Sequence, residues 1–192
     1  MDSATVNNSP LPQVRRVITT HNGKGESVYV RDVPADVEFW RLQTPSNKPV
    51  GFFLGYTTDC FPAPLNNDED LKDYRKRFAR SDQTGLVNYG GTVLRYVDMP
   101  PGDKSPMHRT VSLDYGVVLE GELECLLDSG ESRFVRPGDV VIQRGTMHQW
   151  INHSDTVWAR MVFILIHATP IEVNGKQLDE DLGGMTGLPK SH

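Results

Sequence analysis

Short runs in which apolar and polar residues alternate, cut by clusters of Gly, Pro and Asn, dominate this chain. Early on, Val17-Ile18-Thr19-Thr20, Ser27-Val28-Tyr29-Val30 and the segment from Gly51 to Tyr56 predict strands joined by turns. One stretch breaks the pattern. Asn67-Asp68 precedes an acidic turn and then Leu71, Tyr74, Arg75 and Phe78, which predicts an N-cap and a helix over about 68–80. From Gly91 the rhythm tightens into strands at Thr92–Val97, Tyr115–Leu119, Leu123–Leu127, Ser132–Val135, Val140–Ile142, Gln149–Asn152 and Val157–Ile166. Turns at Pro100-Pro101-Gly102, Glu120-Gly121, Asp128-Ser129-Gly130 and Pro137-Gly138-Asp139 separate them, so this half reads as an all-β sandwich or barrel.

The last strand alternates apolar with apolar: Trp158, Val162, Ile164 and Ile166 on one face, Val157, Ala159, Met161, Phe163 and Leu165 on the other. Such a strand is covered on both sides. The N-terminal strands or a second subunit can supply the outer cover, and a homodimer is expected. The organisation that follows is a disordered tail over 1–14, an N-terminal extension over 15–90, a barrel over 91–168 and a C-terminal arm over 169–192.

Composition narrows the function classes. The 192 residues suffice for one core with added arms. A formal charge of −5 argues against nucleic acid, which needs clustered Lys and Arg. The one dense basic run, Arg75, Lys76, Arg77 and Arg80, falls around Tyr74 and Phe78 as the wet side of the predicted helix. No apolar run is long enough for a membrane span, and Met1 to Pro12 lacks the charged and apolar regions of a secretory signal. The two cysteines, Cys60 and Cys125, form no metal-binding or disulfide framework. A cytoplasmic protein with a small-molecule substrate, and neither nucleic-acid nor membrane partner, is the expectation.

Two segments carry the chemistry. The first runs from Gly102 through His108, Thr110 and Asp114 to Gly121, and resembles the first motif of the cupin superfamily, G-x5-H-x-H-x3-E-x6-G. Gly102, His108 and Gly121 match, Asp114 stands at the Glu position, and Thr110 replaces the second His. The second segment resembles the later motif, G-x5-P-x-G-x2-H-x3-N, through Gly138, Gly145, His148 and Asn152, with Gln143 in place of Pro and one residue fewer. The resemblance covers 91–168 and implies a double-stranded β-helix (jelly-roll) barrel, here with N-terminal strands and one short helix. It is that of a small stand-alone cupin with an N-terminal extension, and such proteins resemble tailoring enzymes of secondary metabolism.

Side chains two apart on a strand share a face, and one face of a small barrel is its lumen. His108 and His148 are therefore expected to meet there, with Asp114 completing a two-His-one-carboxylate set that could hold one divalent Fe, Mn or Zn ion. Thr is a poor ligand, and Asp reaches roughly 1.5 Å less than Glu. Without a metal, His108, Asp114 and His148 still form an acid–base set near neutral pH. Thr110, Tyr115, Trp150 and Arg95 are the candidate substrate contacts; Arg95 would take a carboxylate. The expected function is a lyase or isomerase (decarboxylation, dehydration or cyclisation) of a small carbonyl or aromatic metabolite. The alternatives are a metal-dependent dioxygenase on a similar substrate and a non-catalytic metabolite-binding protein.

Overall fold

The computed structural model describes residues 9–42 and 48–192. In chain order the elements are β1 (Thr19–His21), β2 (Ser27–Tyr29), β3 (Trp40–Leu42), β4 (Val50–Thr58), α1 (Glu69–Phe78), β5 (Thr92–Met99), β6 (Ser112–Glu120), β7 (Leu123–Leu127), β8 (Ser132–Val135), β9 (Val140–Arg144), β10 (His148–Ile151), β11 (Ala159–His167), β12 (Ile171–Val173) and β13 (Lys176–Leu178). A six-stranded sheet in the order β3-β4-β5-β11-β6-β9 faces a three-stranded sheet in the order β10-β7-β8. Met99, Val118, Leu123, Cys125, Val135, Trp150 and Met161 interlock between the two sheets, burying one face of each. The all-β jelly-roll expectation is met.

The N-terminal extension is part of the large sheet. β4 pairs antiparallel with β5 from Gly51↔Asp98 to Thr58↔Thr92, so two strands of the extension simply continue the sheet. Helix α1 lays Leu71 and Tyr74 against β4, and the Tyr74 hydroxyl donates to the Leu54 carbonyl at 3.3 Å. Its acidic first turn and basic last turn complement the helix dipole. The expected N-cap bond is not made. Asp68 occupies the cap position in a left-handed conformation, and its carboxylate accepts from the Thr20 hydroxyl instead of from the helix. The basic run is neutralised locally, with Arg75 on Asp32 at 2.9 Å, Lys76 on Asp73 at 2.7 Å and Arg77 on Asp59 at 2.8 Å.

Both ends of the described chain are anchored to the sheets. Residues 1–8 of the expected tail lie outside the described residues, but 12 and 13 are tied down. The Pro12 carbonyl accepts from Arg160 Nη1 at 2.5 Å, and Gln13 Nε2 donates to the Val37 carbonyl at 2.5 Å. The C-terminal arm is likewise seated. After the β12–β13 hairpin, Arg109 and Asp181 exchange two backbone hydrogen bonds, at 2.7 and 2.9 Å. Leu182, Met185 and Leu188 then join the core of Leu42, Phe52 and Leu165. Gly183 makes this approach possible: its φ is +60°, and a Cβ there would lie 2.2 Å from the Met107 carbonyl oxygen.

β11 is central, between β5 and β6. Part of its sheet's outer face is covered by the N-terminal segment, where Val14, Val37 and Phe39 pack on Phe53 and Tyr96. Over β6 and β9 that face stays open, with Tyr115, Leu119, Val140 and Ile142 exposed.

At the covered end, Arg160 and Asp98 are direct cross-strand partners and form a two-pronged ion pair at 2.5 and 2.6 Å, both side chains almost fully buried. Removing one partner of a buried pair leaves an uncompensated charge. Asp98→Ala should therefore lose about 3–5 kcal/mol of unfolding free energy in denaturant titration. The double change Asp98→Ala with Arg160→Met should recover much of that loss, because the cost lies in the stranded guanidinium.

Candidate active site

The two histidines meet because their backbones are paired. His108 N–H donates to the His148 carbonyl at 2.8 Å and His148 N–H donates back to the His108 carbonyl at 2.9 Å. In an antiparallel ladder such a reciprocal pair places both side chains on one face. The rings accordingly sit 4.2 Å apart between centroids. Each ring is oriented by its own chain: Nδ1 of His108 faces the Pro106 carbonyl at 2.9 Å, and Nδ1 of His148 faces the Thr146 carbonyl at 2.9 Å. A carbonyl can only accept, so Nδ1 carries the proton in both rings and Nε2 bears a lone pair.

Both imidazoles line a cavity between the two sheets. Its wall is largely apolar, including Phe52, Val97, Leu123, Met161, Phe163 and Met185 from the C-terminal arm. Phe163 fits against β6 because residue 116 is glycine, where a Cβ would come within 2.8 Å of the ring. Trp150 meets Phe163 edge-on at 5.8 Å.

Polar groups are few. Asp114 is buried on the inward side of β6, where Thr110 donates to its Oδ2 at 3.2 Å and Ser112 donates to Thr110 at 2.9 Å. Burial pushes the Asp114 carboxyl up to about 6, against the pull of the Ser112 and Thr110 hydroxyls. Burial, then the charge of His108, pushes His148 down to about 3. His108 is also lowered by burial, an effect opposed by the Pro106 carbonyl and the Asp181 carboxylate. Gln143, across the ladder from Asp114, is buried in the same wall. Among the described residues, Asp114 Oδ1, both amide atoms of Gln143, Trp150 Nε1, and Nε and Nη1 of Arg95 have no hydrogen-bond partner. Buried orphan groups cost about 1–3 kcal/mol each, so a wall carrying several of them is built for a polar ligand.

Of the expected site residues, His108, Asp114, His148, Thr110, Trp150 and Arg95 line this cavity. Tyr115 does not: next after the inward Asp114 on β6, it projects from the outer face and is 37% exposed. Arg95, a residue type that on a strand more often faces solvent, is instead almost fully buried. Gln143 was legible only as a departure from the second motif; an amide in the otherwise apolar run Val140–Ile142 was the signal. Asn152, also in that motif, is structural, donating to the carbonyls of Met99, Pro100 and Val157.

The expected metal ligand set does not assemble. The carbonyl-anchored rings with free Nε2 atoms are what a metal-binding His pair has, but the third donor fails. Among the described residues no three His, Cys, Asp or Glu side chains form a group that could hold a metal ion. Thr110 stands where another imidazole would be, and the Asp114 carboxyl is engaged by the Thr110 hydroxyl.

Comparison with known proteins agrees with this architecture. The cupin domain family matches residues 95–165. Oryzines biosynthesis cluster protein J of Aspergillus oryzae is 45% identical over 179 residues, 90% of this chain and 93% of that protein. Cupin-domain-containing oxidoreductase fogC of Aspergillus ruber is 41% identical over 175 residues, 90% of this chain and 82% of that protein. Among solved structures, the polyketide cyclase RemF from Streptomyces resistomycificus shares the fold, with a TM-score of 0.50 and 17% identity over 83% of this chain and 88% of that one. The two facing sheets, both histidine motifs and relatives alike along nearly their whole length make this chain a member of the cupin family.

Proposed function

We propose that this protein is an enzyme of secondary metabolism that performs acid–base chemistry, as a lyase or isomerase, on a small metabolite with an apolar body and a carbonyl group. The observation that carries the proposal is the pairing of proton-free Nε2 atoms with a carboxyl biased toward protonation, inside one apolar cavity. The relatives support the setting, since several are proteins of biosynthesis clusters.

His108 is the base of the two, because the charge of His108 adds to burial in lowering His148, whereas at His108 the Pro106 carbonyl and the Asp181 carboxylate oppose burial. Its Nε2 takes a proton from carbon beside the substrate carbonyl. The Asp114 carboxyl, with Oδ2 occupied by Thr110, presents Oδ1 as the proton-bearing oxygen and donates to the carbonyl or to a departing hydroxyl. Return of the proton from His108 to another carbon gives isomerisation; loss of the protonated hydroxyl gives dehydration. His148 stays neutral and accepts a hydrogen bond from the substrate.

A second reading follows from the relatives named oxidoreductases, at 41% and 38% identity. The two are separated by isolating the intermediate that accumulates in host cells carrying an inactive variant and comparing its mass with that of the product. Loss of carbon dioxide or water, or no change, supports the lyase or isomerase; gain of oxygen or loss of hydrogen overturns it. With that intermediate as substrate, His108→Ala and His148→Ala should each lower kcat/KM by about 10²–10⁴-fold.

The Asp114 shift also fixes a pH dependence. Proton donation needs pH below about 6, so kcat/KM should fall by about tenfold per unit above that and be lost in Asp114→Asn. In stability the folded pKa lies above the ordinary 3.8, so the protonated carboxyl contributes most at acid pH and its contribution is lost as pH rises through about 6. Asp114→Asn should therefore unfold at higher denaturant than the wild type at about pH 8, by up to about 3 kcal/mol, and match it below about pH 4.

A further inference from the structure

Arg95 lies on the inward side of β5, 1% exposed, in the wall of the cavity that holds the histidine pair. A guanidinium stays charged under all ordinary conditions and is rarely buried without a carboxylate. Here Nη2 donates to the carbonyl of Gly85 at 2.9 Å and more weakly to that of Thr84 at 3.4 Å, which fixes the head. Phe52 lies under it, 5.3 Å from the guanidinium carbon to the ring centroid. Nε and Nη1 have no hydrogen-bond partner among the described residues. No carboxylate of the described residues forms an ion pair with Arg95. Arg95 is also the one Arg or Lys among the residues lining the cavity.

From these observations we infer that Arg95 is an anion subsite, and that the substrate carries a carboxylate which this guanidinium holds while the apolar body fills the space toward His108 and His148. The inference names the substrate class for the acid–base reading above and rests on the same cavity. The sheet register gives the span. Arg95 and Asp114 flank β11 on opposite sides, opposite Phe163 and Leu165 respectively, both on the inward face. Two strand spacings and two residues along the strand put their Cα atoms roughly 12 Å apart. One or two rings with a carboxylate at one end and a reactive carbonyl at the other bridge that distance. A carboxylate so placed is remote from the proton donor, so it acts as a handle that orients the reacting carbon.

The test uses 2-naphthoate and its neutral analogue 2-naphthamide as probes of the full chain, by isothermal titration calorimetry at about pH 7.5, where both imidazoles are neutral. The wild type should bind naphthoate at least tenfold more tightly than the amide. Arg95→Gln should abolish that preference, and Arg95→Lys, which keeps the charge, should retain part of it. Thermal stabilisation of the unmutated protein by naphthoate but not by naphthamide is the parallel measurement if Arg95→Gln does not fold. Equal affinity for the two probes, binding of neither, or a preference that survives in Arg95→Gln would overturn the subsite. None of these results touches the acid–base reading, which fails instead if the product differs from the accumulated intermediate by oxidation while the naphthoate preference persists.

Discussion

Two backbone hydrogen bonds, exchanged between His108 and His148, hold the site together. Residue 108 belongs to the irregular stretch between β5 and β6, whereas residue 148 opens β10 in the opposite sheet. Their reciprocal pairing ties that stretch to the small sheet and brings two rings from distant sequence to one surface. Side-chain orientation then follows from local geometry, because each ring turns its Nδ1 to the carbonyl two residues before it. A pair fixed by main chain on both sides has little freedom to reorganise during a reaction, which is the condition for electrostatic preorganisation.

Around that pair the cavity combines an oily wall with a small number of unsatisfied polar atoms. The two features depend on each other. Burial behind the low-polarity wall of Phe52, Met161 and Phe163 raises the Asp114 carboxyl and lowers both imidazoles, favouring the neutral form of each. In water all three groups would be charged at about pH 5. The chain from Ser112 through Thr110 to Asp114 sets which carboxyl oxygen is free to face a ligand.

Much of this could be read from residue order. Glycine turns and alternating apolar residues placed β7 and β8 at their observed limits and found α1 within two residues at either end, because those elements obey local periodicity. The histidine pair was legible because two spaced motifs bracket the strands that carry it. What was not legible depends on contacts remote in sequence. β3 is too short to show a period, and it exists because β4 offers it an edge. The seating of the last residues needs Arg109 and Met107 as partners, some seventy positions away. Tyr115, a candidate substrate contact by sequence, follows the inward Asp114 by one residue, and one step along a strand reverses the direction of a side chain.

The seating of the C-terminal arm also has a consequence for how the protein comes into being. Met185 completes a wall of the cavity, and Ser191 and His192 close hydrogen bonds with Val87 and Tyr89. Val87 and Ser191 are 104 positions apart, so the sheets can pair before this arm docks while the pocket wall cannot be completed without it. Until the arm docks, the cavity is an open, greasy cleft, so prising Leu182, Met185 and Leu188 away from Leu42 and Phe52 would unmake the pocket while leaving both sheets paired.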